Sequence, residues 1–195
     1  MDQEHLDPFV TFRDWLTEAS NTEPNDPNAM ILATASSTGR PAARTVLLKA
    51  WDRDGFVFYT NLESRKSQEL RENPQAALLF YWKTLHRQVR IEGPISMVSD
   101  QQANEYYASR PRISRIGAWA SAQSRPLPDR KIFDDKIAEL EAKYPDDQIP
   151  RPPFWSGWRV RPEYFEFWQD VQFRLHDRTT YRREGNSWVT GKLYP

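Results

Sequence analysis

The residues best suited to chemistry lie near the C-terminus, in the stretch Phe173-Arg-Leu-His-Asp-Arg-Thr-Thr-Tyr181. Read as a β-strand, it puts Arg174, His176 and Arg178 on one face and Phe173, Leu175 and Tyr181 on the other. Two guanidinium groups flanking an imidazole suit an anionic ligand, and the same residues are also ordinary on the wet face of an antiparallel strand. Other cations bear on that choice. Arg65 and Lys66 follow Ser64 at the start of a helical pattern, where free backbone N–H groups and the positive end of the helix dipole favour an anion. Arg110, Arg112 and Arg115 place three arginines in six residues, a density that fits either a solvated loop or a clamp on phosphate. Lys49 ends an otherwise apolar strand. Two anionic groups are implied, one on a phosphorylated cofactor and one on a phosphorylated substrate.

Other chemistries lack their residues. None of the seven glycines makes Gly-x-Gly, so neither a dinucleotide fingerprint nor a P-loop is present, and a phosphate must be held by side-chain cations. There is no Gly-x-Ser-x-Gly, no cysteine, and three isolated histidines (His5, His86, His176) give no metal spacing. Lys plus Arg and Asp plus Glu are equal at 27 each, so no global field draws nucleic acid or an anionic membrane. The N-terminus lacks the basic and apolar regions of a signal peptide, and no run is long enough to span a bilayer, so the expected location is the cytoplasm.

The elements that must position these residues read as strands with helices inserted between them. Asp7-Pro8 starts a helix with Phe9, Phe12, Leu16 and Ala19 on one face, and Ser20 to Asn28 is a loop. Strands are expected at 29–35, 44–49, 56–60, 76–82 and 86–98, with Asp54-Gly55 as a hairpin turn. Ser64 caps a helix that Pro74 stops, and Ser99 with Gln102 makes a capping box for a helix ending at Arg110-Pro111. The segment 110–115 is expected as a loop, and Phe133, Ile137, Leu140 and Tyr144 mark another helix. Strands at 158–168, broken at Pro162, at 173–181 and around Trp188-Val189 complete seven or eight. At 195 residues, with eight Trp, eight Tyr and ten Phe for a core, the expectation is one mainly β domain over 1–195. It is an antiparallel meander closed into a β-barrel, with 1–28 as N-terminal helix and loop and 158–195 as C-terminal strands.

Five blocks in order carry a resemblance. Arg44-Thr-Val-Leu-Leu-Lys49, Phe58-Tyr-Thr-Asn-Leu-Glu-Ser-Arg-Lys66, Arg87-Gln88-Val89, Ser109-Arg-Pro-Arg112 with Ile116-Gly-Ala-Trp119, and Glu166-Phe-Trp168 with Arg174-Leu-His-Asp-Arg178 resemble the pyridoxamine 5′-phosphate oxidase family. The resemblance implies an FMN-binding split barrel, a homodimer with two active sites at the subunit interface, and oxidation of pyridoxamine or pyridoxine 5′-phosphate by oxygen. It implies FMN contacts from Arg44, Thr45, Val46, Leu47, Leu48, Tyr59, Thr60, Arg65, Lys66, Gln88, Gln123, Ser124, Trp168 and Arg178. Lys49, Tyr106, Arg110 and Ser114 would hold the substrate phosphate, and Arg174 and His176 would lie over the pyridine ring as the catalytic pair. No metal is implied. Two features depart from the pattern: only six residues precede Asp7, where the family carries a basic-Arg-Glu-Tyr lid, and the C-terminal Arg-Leu-x-Pro reads Lys192-Leu-Tyr-Pro195. A flavin oxidase of phenazine-precursor type, or a split-barrel module that holds flavin or pyridoxal phosphate without turnover, are the alternatives.

Overall fold

A computed structural model describes residues 7–195; His5 and the acidic N-terminal residues lie outside them. The elements run α1 (Pro8–Thr22), β1 (Ala29–Ala35), β2 (Pro41–Leu47), β3 (Ala50–Asp52), β4 (Gly55–Asn61), α2 (Arg65–Glu72), β5 (Gln75–Trp82) and β6 (Arg87–Met97). They continue with α3 (Asp100–Ser109), α4 (Arg112–Ala120), α5 (Arg130–Lys143), β7 (Trp155–Val160), β8 (Tyr164–Gln169), β9 (Asp177–Glu184) and β10 (Ser187–Lys192).

Local signals account for most boundaries. Asp7 accepts from the Phe9 backbone N–H at 3.0 Å and Pro8 occupies the first turn, so α1 starts where the dipeptide predicts. Ser99 accepts from the Gln102 N–H at 3.1 Å and starts α3 in the same way. The apolar face of α1 delivers Phe12 into the core, edge-on to Trp51, Phe56 and Phe80 at 4.9–5.2 Å between ring centroids. Burying one such ring contributes about 1.5–3 kcal/mol, which ties α1 to three strands at once.

Every strand pair is antiparallel, but the order is not a simple meander. One path runs β10-β9-β8-β6-β5-β1-β2, while β7 joins β6 to β4 and β3 adds to β4. The sheet curls into a half-barrel, and its two ends approach where the Lys49 N–H donates to the Val57 carbonyl at 2.9 Å. β6 is the branch point: Arg87–Glu92 pair with β8, Ile95–Met97 pair with β7. Gly93-Pro94 makes the change of partner. A Cβ on Gly93 would lie 2.0 Å from the Arg161 carbonyl oxygen, in the corner around Pro162 that turns β7 into β8. That corner is bonded back to β6 on both sides, Arg161 N–H to Pro94 O at 2.9 Å and Glu163 N–H to Glu92 O at 2.8 Å.

Three expectations are corrected. The three-residue strand β3 was not foreseen, and β2 ends at Leu47, so Lys49 sits just beyond it. Residues 112–115 form the first turn of α4 rather than a loop. The stretch 173–181 is not one strand: Gln172–Arg174 is a 3-10 turn in which Phe173 and Arg174 both take left-handed φ, 60° and 61°, and β9 begins at Asp177. Phe173 is 89% exposed and Leu175 65%, so neither packs inward. Arg174 consequently shares no strand face with His176 and Arg178.

Gly93→Ala should therefore destabilise the protein by roughly 1–3 kcal/mol in urea unfolding, the usual cost of forced overpacking. Gly117→Ala, with nothing within 4 Å of its Cβ on a helix, should be neutral or stabilising.

Candidate active site

A cavity of about 600 Å³ opens between the barrel and helices α2 to α5. β2 lines one wall with Arg44, Thr45, Val46 and Leu47, and β4 supplies Tyr59, Thr60 and Asn61. Leu48 faces the core instead, 5% exposed. Asn61 donates to the Ser121 carbonyl at 3.1 Å and so fixes the end of α4 over the cavity.

At one side stands Lys66. Its ammonium donates to Thr60 Oγ1 and Gln123 Oε1, both at 3.0–3.1 Å, and no carboxylate among the described residues neutralises it. Burial first, and then neighbouring Arg44, push its pKa below the ordinary lysine value. Ser64 does not cap α2 with its side chain, because its hydroxyl donates to Asn61 O. Arg44 and Arg65 are both tied to Glu69, at 2.9 and 2.8 Å, so Arg65 turns along its helix while Arg44 reaches the cavity wall. Burial alone would raise the Glu69 carboxyl; hydrogen bonds from Thr34, Arg65 and Arg44 outweigh it and hold the pKa below the usual range. Gln123 faces Lys66, while the exposed Ser124 beside it takes a left-handed φ of 72°.

A second cationic group faces an adjoining hollow of about 330 Å³, lined by Lys49, Tyr106, Arg110 and Ser114 but not by Arg44 or Lys66. Here the arginine meets no acid among the described residues. Arg110 lies over the Trp155 ring at 4.7 Å, and its buried Nη1 has no hydrogen-bond partner. Burial lowers its pKa from the ordinary arginine value. Tyr106 stacks on Tyr59 at 4.0 Å, and Tyr59 on Trp155 at 5.4 Å, giving the hollow a rigid aromatic wall. Arg112 and Arg115 do not join this group. Arg112 donates to the carbonyls of Tyr144 and Asp146, and the buried Arg115 to Asp147, which pins α4 to the segment after α5. Tyr107 closes the same support by donating to Arg115 O at 2.9 Å, and burial pushes its phenol up to about 12.

The remaining candidates lie elsewhere, on β6, β8 and β9 and in the 3-10 turn and short segment that lead into β9. Gln88, Trp168 and Arg178 are consecutive register partners across these strands. The buried Glu166 receives Arg178 at 2.7 Å and Arg90 at 2.6 Å. His176 packs on Trp168 at 4.7 Å between ring centroids and contacts Asp170 at 2.9 Å. None of these, nor Arg174, lines the cavity of the same subunit.

Residues 16–144 match the family described as Pyridoxamine 5'-phosphate oxidase, and 155–195 match its Pyridoxine 5'-phosphate oxidase C-terminal dimerisation region. The chain belongs to the pyridoxamine 5′-phosphate oxidase family. A protein named Pyridoxine/pyridoxamine 5'-phosphate oxidase from Gluconobacter oxydans is 57% identical over 97% of this chain and 94% of its own length. A protein of the same name from Rhodospirillum rubrum is also 57% identical, over 98% of each. Among solved structures, PhzG from Burkholderia lata 383, in complex with tetrahydrophenazine-1-carboxylic acid, superposes with a TM-score of 0.92 at 33% identity, covering 100% of this chain and 98% of that one. An FMN-binding protein from Nostoc punctiforme shares the split-barrel fold, with a TM-score of 0.79 at 18% identity over 97% and 99% of the two chains.

Within this family site, sequence reading missed Trp155, Asn61 and Phe133, which line the cavity, and Glu69, which aligns two arginines behind it. Trp155 stands three residues before the expected strand, and only the β4–β7 pairing brings it beside Tyr59. Among the described residues no helix is long and apolar enough to cross a membrane, and no cluster of acids and histidines is placed to hold a metal.

Lys66→Met should leave the ligand-free protein at least as stable as the parent, because folding lowers the pKa of Lys66 and so penalises its charge. That penalty is fully present below the folded-state pKa and vanishes as pH rises through the unfolded value of about 10.4. The gain should accordingly be largest near neutrality and shrink in alkaline buffer, as read by urea midpoints across pH.

Proposed function

We propose that the protein oxidises pyridoxamine 5′-phosphate and pyridoxine 5′-phosphate to pyridoxal 5′-phosphate, using FMN and passing the electrons to oxygen to give hydrogen peroxide. One observation carries the reading. Two groups of cations, Arg44 with Lys66 and Lys49 with Arg110, meet in one cavity of a pyridoxamine 5′-phosphate oxidase fold, and among the described residues no carboxylate neutralises Lys66 or Arg110. Half-buried charge of this kind is stabilised by a counter-anion, and two phosphate esters would supply it.

The residues fit FMN. Lys66, Arg44, Thr60 and Gln123 would hold its phosphate and ribityl chain, with the β2 backbone from Arg44 to Leu48 alongside. FMN, when bound, supplies the two-electron acceptor that oxygen regenerates. Lys49, Tyr106, Arg110 and Ser114 would anchor the substrate phosphate, so that binding energy from that end orients the reacting carbon. The amine substrate loses a hydride and a proton, and water then replaces the C=N bond with the aldehyde, releasing ammonia; the alcohol gives the aldehyde directly.

The protein is read as a homodimer whose partner completes each site. A dimerisation region matches 155–195, and that region carries Phe173, Leu175 and Tyr194 as exposed apolar side chains. Gln88, Trp168 and Arg178 would then meet the flavin from the partner's side, with Arg174 and His176 over the pyridine ring. The successive left-handed residues Phe173 and Arg174 support this, since such strain, of order 1–3 kcal/mol each, collects at sites that use it.

A second reading, oxidation of a phenazine precursor, is favoured by the fold similarity to PhzG. The Lys49–Arg110 group argues for a phosphorylated substrate instead. Purified protein should show flavin absorbance and form peroxide with pyridoxal 5′-phosphate from pyridoxamine 5′-phosphate; turnover of only tetrahydrophenazine-1-carboxylic acid would favour the second reading. Arg174→Leu should keep bound FMN yet lose about tenfold or more in kcat/KM, as expected for a lost aligning contact. Unchanged kinetics at limiting and saturating substrate would remove Arg174 from the site.

A further inference from the structure

Glu69 is buried, 6% exposed, on the helix that carries Lys66, and it does not line the cavity. Its carboxylate is nevertheless bonded by three side chains, one of which, Arg44, forms part of the cavity wall. Oε1 accepts from Arg65 Nε at 2.8 Å, and Oε2 accepts from Arg44 Nη2 at 2.9 Å and from the Thr34 hydroxyl. Arg44 is held further through Nη1, which donates to Thr34 Oγ1 at 2.6 Å and to Leu32 O at 3.2 Å. The guanidinium plane at the cavity wall is thereby fixed from behind by β1 and α2 together. We propose that Glu69 is the positioning residue of the flavin phosphate site, locking Arg44 at the cavity wall in the orientation that receives the phosphate, with Arg65 holding the carboxylate from its other oxygen. The inference rests on the reading that FMN phosphate binds beside Lys66.

Charge matching supports it. Arg44, Arg65 and Lys66 carry three positive charges and Glu69 one negative, which leaves two, and a phosphate monoester carries about −1.5 to −2 at neutral pH. Without Glu69 the half-buried Arg44 and Lys66 would repel each other uncompensated, with the exposed Arg65 nearby. With a second acid the phosphate would meet competition. Arg110 differs in resting on an aromatic face, which leaves its whole charge for a substrate that must come and go.

The test is fluorescence titration of the full-length apoprotein with FMN and with riboflavin, because the ratio of the two dissociation constants isolates the phosphate. The parent should prefer FMN strongly; a ratio near one would overturn the phosphate reading itself, and the role of Glu69 with it. Glu69→Gln should lower the ratio at least tenfold while riboflavin affinity stays the same. A ratio that is unchanged, or raised because a competing anion has gone, overturns the proposal. Glu69→Asp separates position from charge: it keeps the negative charge but shortens the reach, so the ratio should fall here too. Retention of the full ratio in Glu69→Asp means that Glu69 merely neutralises, and it decides the matter if Glu69→Gln fails to fold in thermal melts followed by circular dichroism.

Discussion

Positive charge held away from water must be matched, and the structure around the cavity follows from how that is done. Lys66 is surrounded by neutral acceptors, Arg110 by aromatic rings, and only Arg44 and Arg65 by an acid. Each choice leaves a different amount of charge uncompensated. An anion entering the cavity would be met by groups already in position, with little reorganisation on arrival. The support lies outside the cavity, in Glu69, Thr34 and the Arg112 and Arg115 struts.

The fold makes that support available. By changing partners at Gly93-Pro94, β6 lets one strand serve the barrel through β7 and a C-terminal extension through β8. The barrel half carries the cavity, and the extension carries Gln88, Trp168 and Arg178 on neighbouring strands. Glu166 plays for Arg178 and Arg90 the part that Glu69 plays for Arg44 and Arg65. Buried carboxylates bridging two arginines thus occur in both halves, and each involves a residue read as a flavin contact. Such pairs are costly to desolvate and stabilise little by themselves; what they provide is orientation.

Much of this was legible in the residues alone. Asp7-Pro8, Asp54-Gly55 and Pro162 mark boundaries by chemistry that needs no tertiary context; Lys66 stood out because a helix start disfavours a cation unless an anion binds, and Arg110 because it opens a run of three arginines in six residues. Other features were hidden for physical reasons. Arg112 and Arg115 look like Arg110 in sequence, and only the path of the chain after α5 supplies the carbonyls that absorb them. Phe173 and Leu175 alternate as strand residues do, but alternation cannot tell a core from a surface awaiting another subunit. Arg65 and Glu69 are spaced like any exposed helical pair, and nothing local reveals that Arg44 arrives from β2 to share the carboxylate.

The central claim is that each active site joins the cavity of one subunit to the C-terminal residues of the other. Hybrid dimers test it directly. Arg110→Leu and Arg174→Leu chains, each impaired alone, are unfolded together, refolded as a mixture and assayed with limiting pyridoxamine 5′-phosphate. Random pairing makes half the dimers hybrid, each with one undamaged and one doubly damaged site, so activity should recover to about a quarter of the parent. Activity no higher than the average of the two parental variants would show that both residues act within one subunit and would contradict the account.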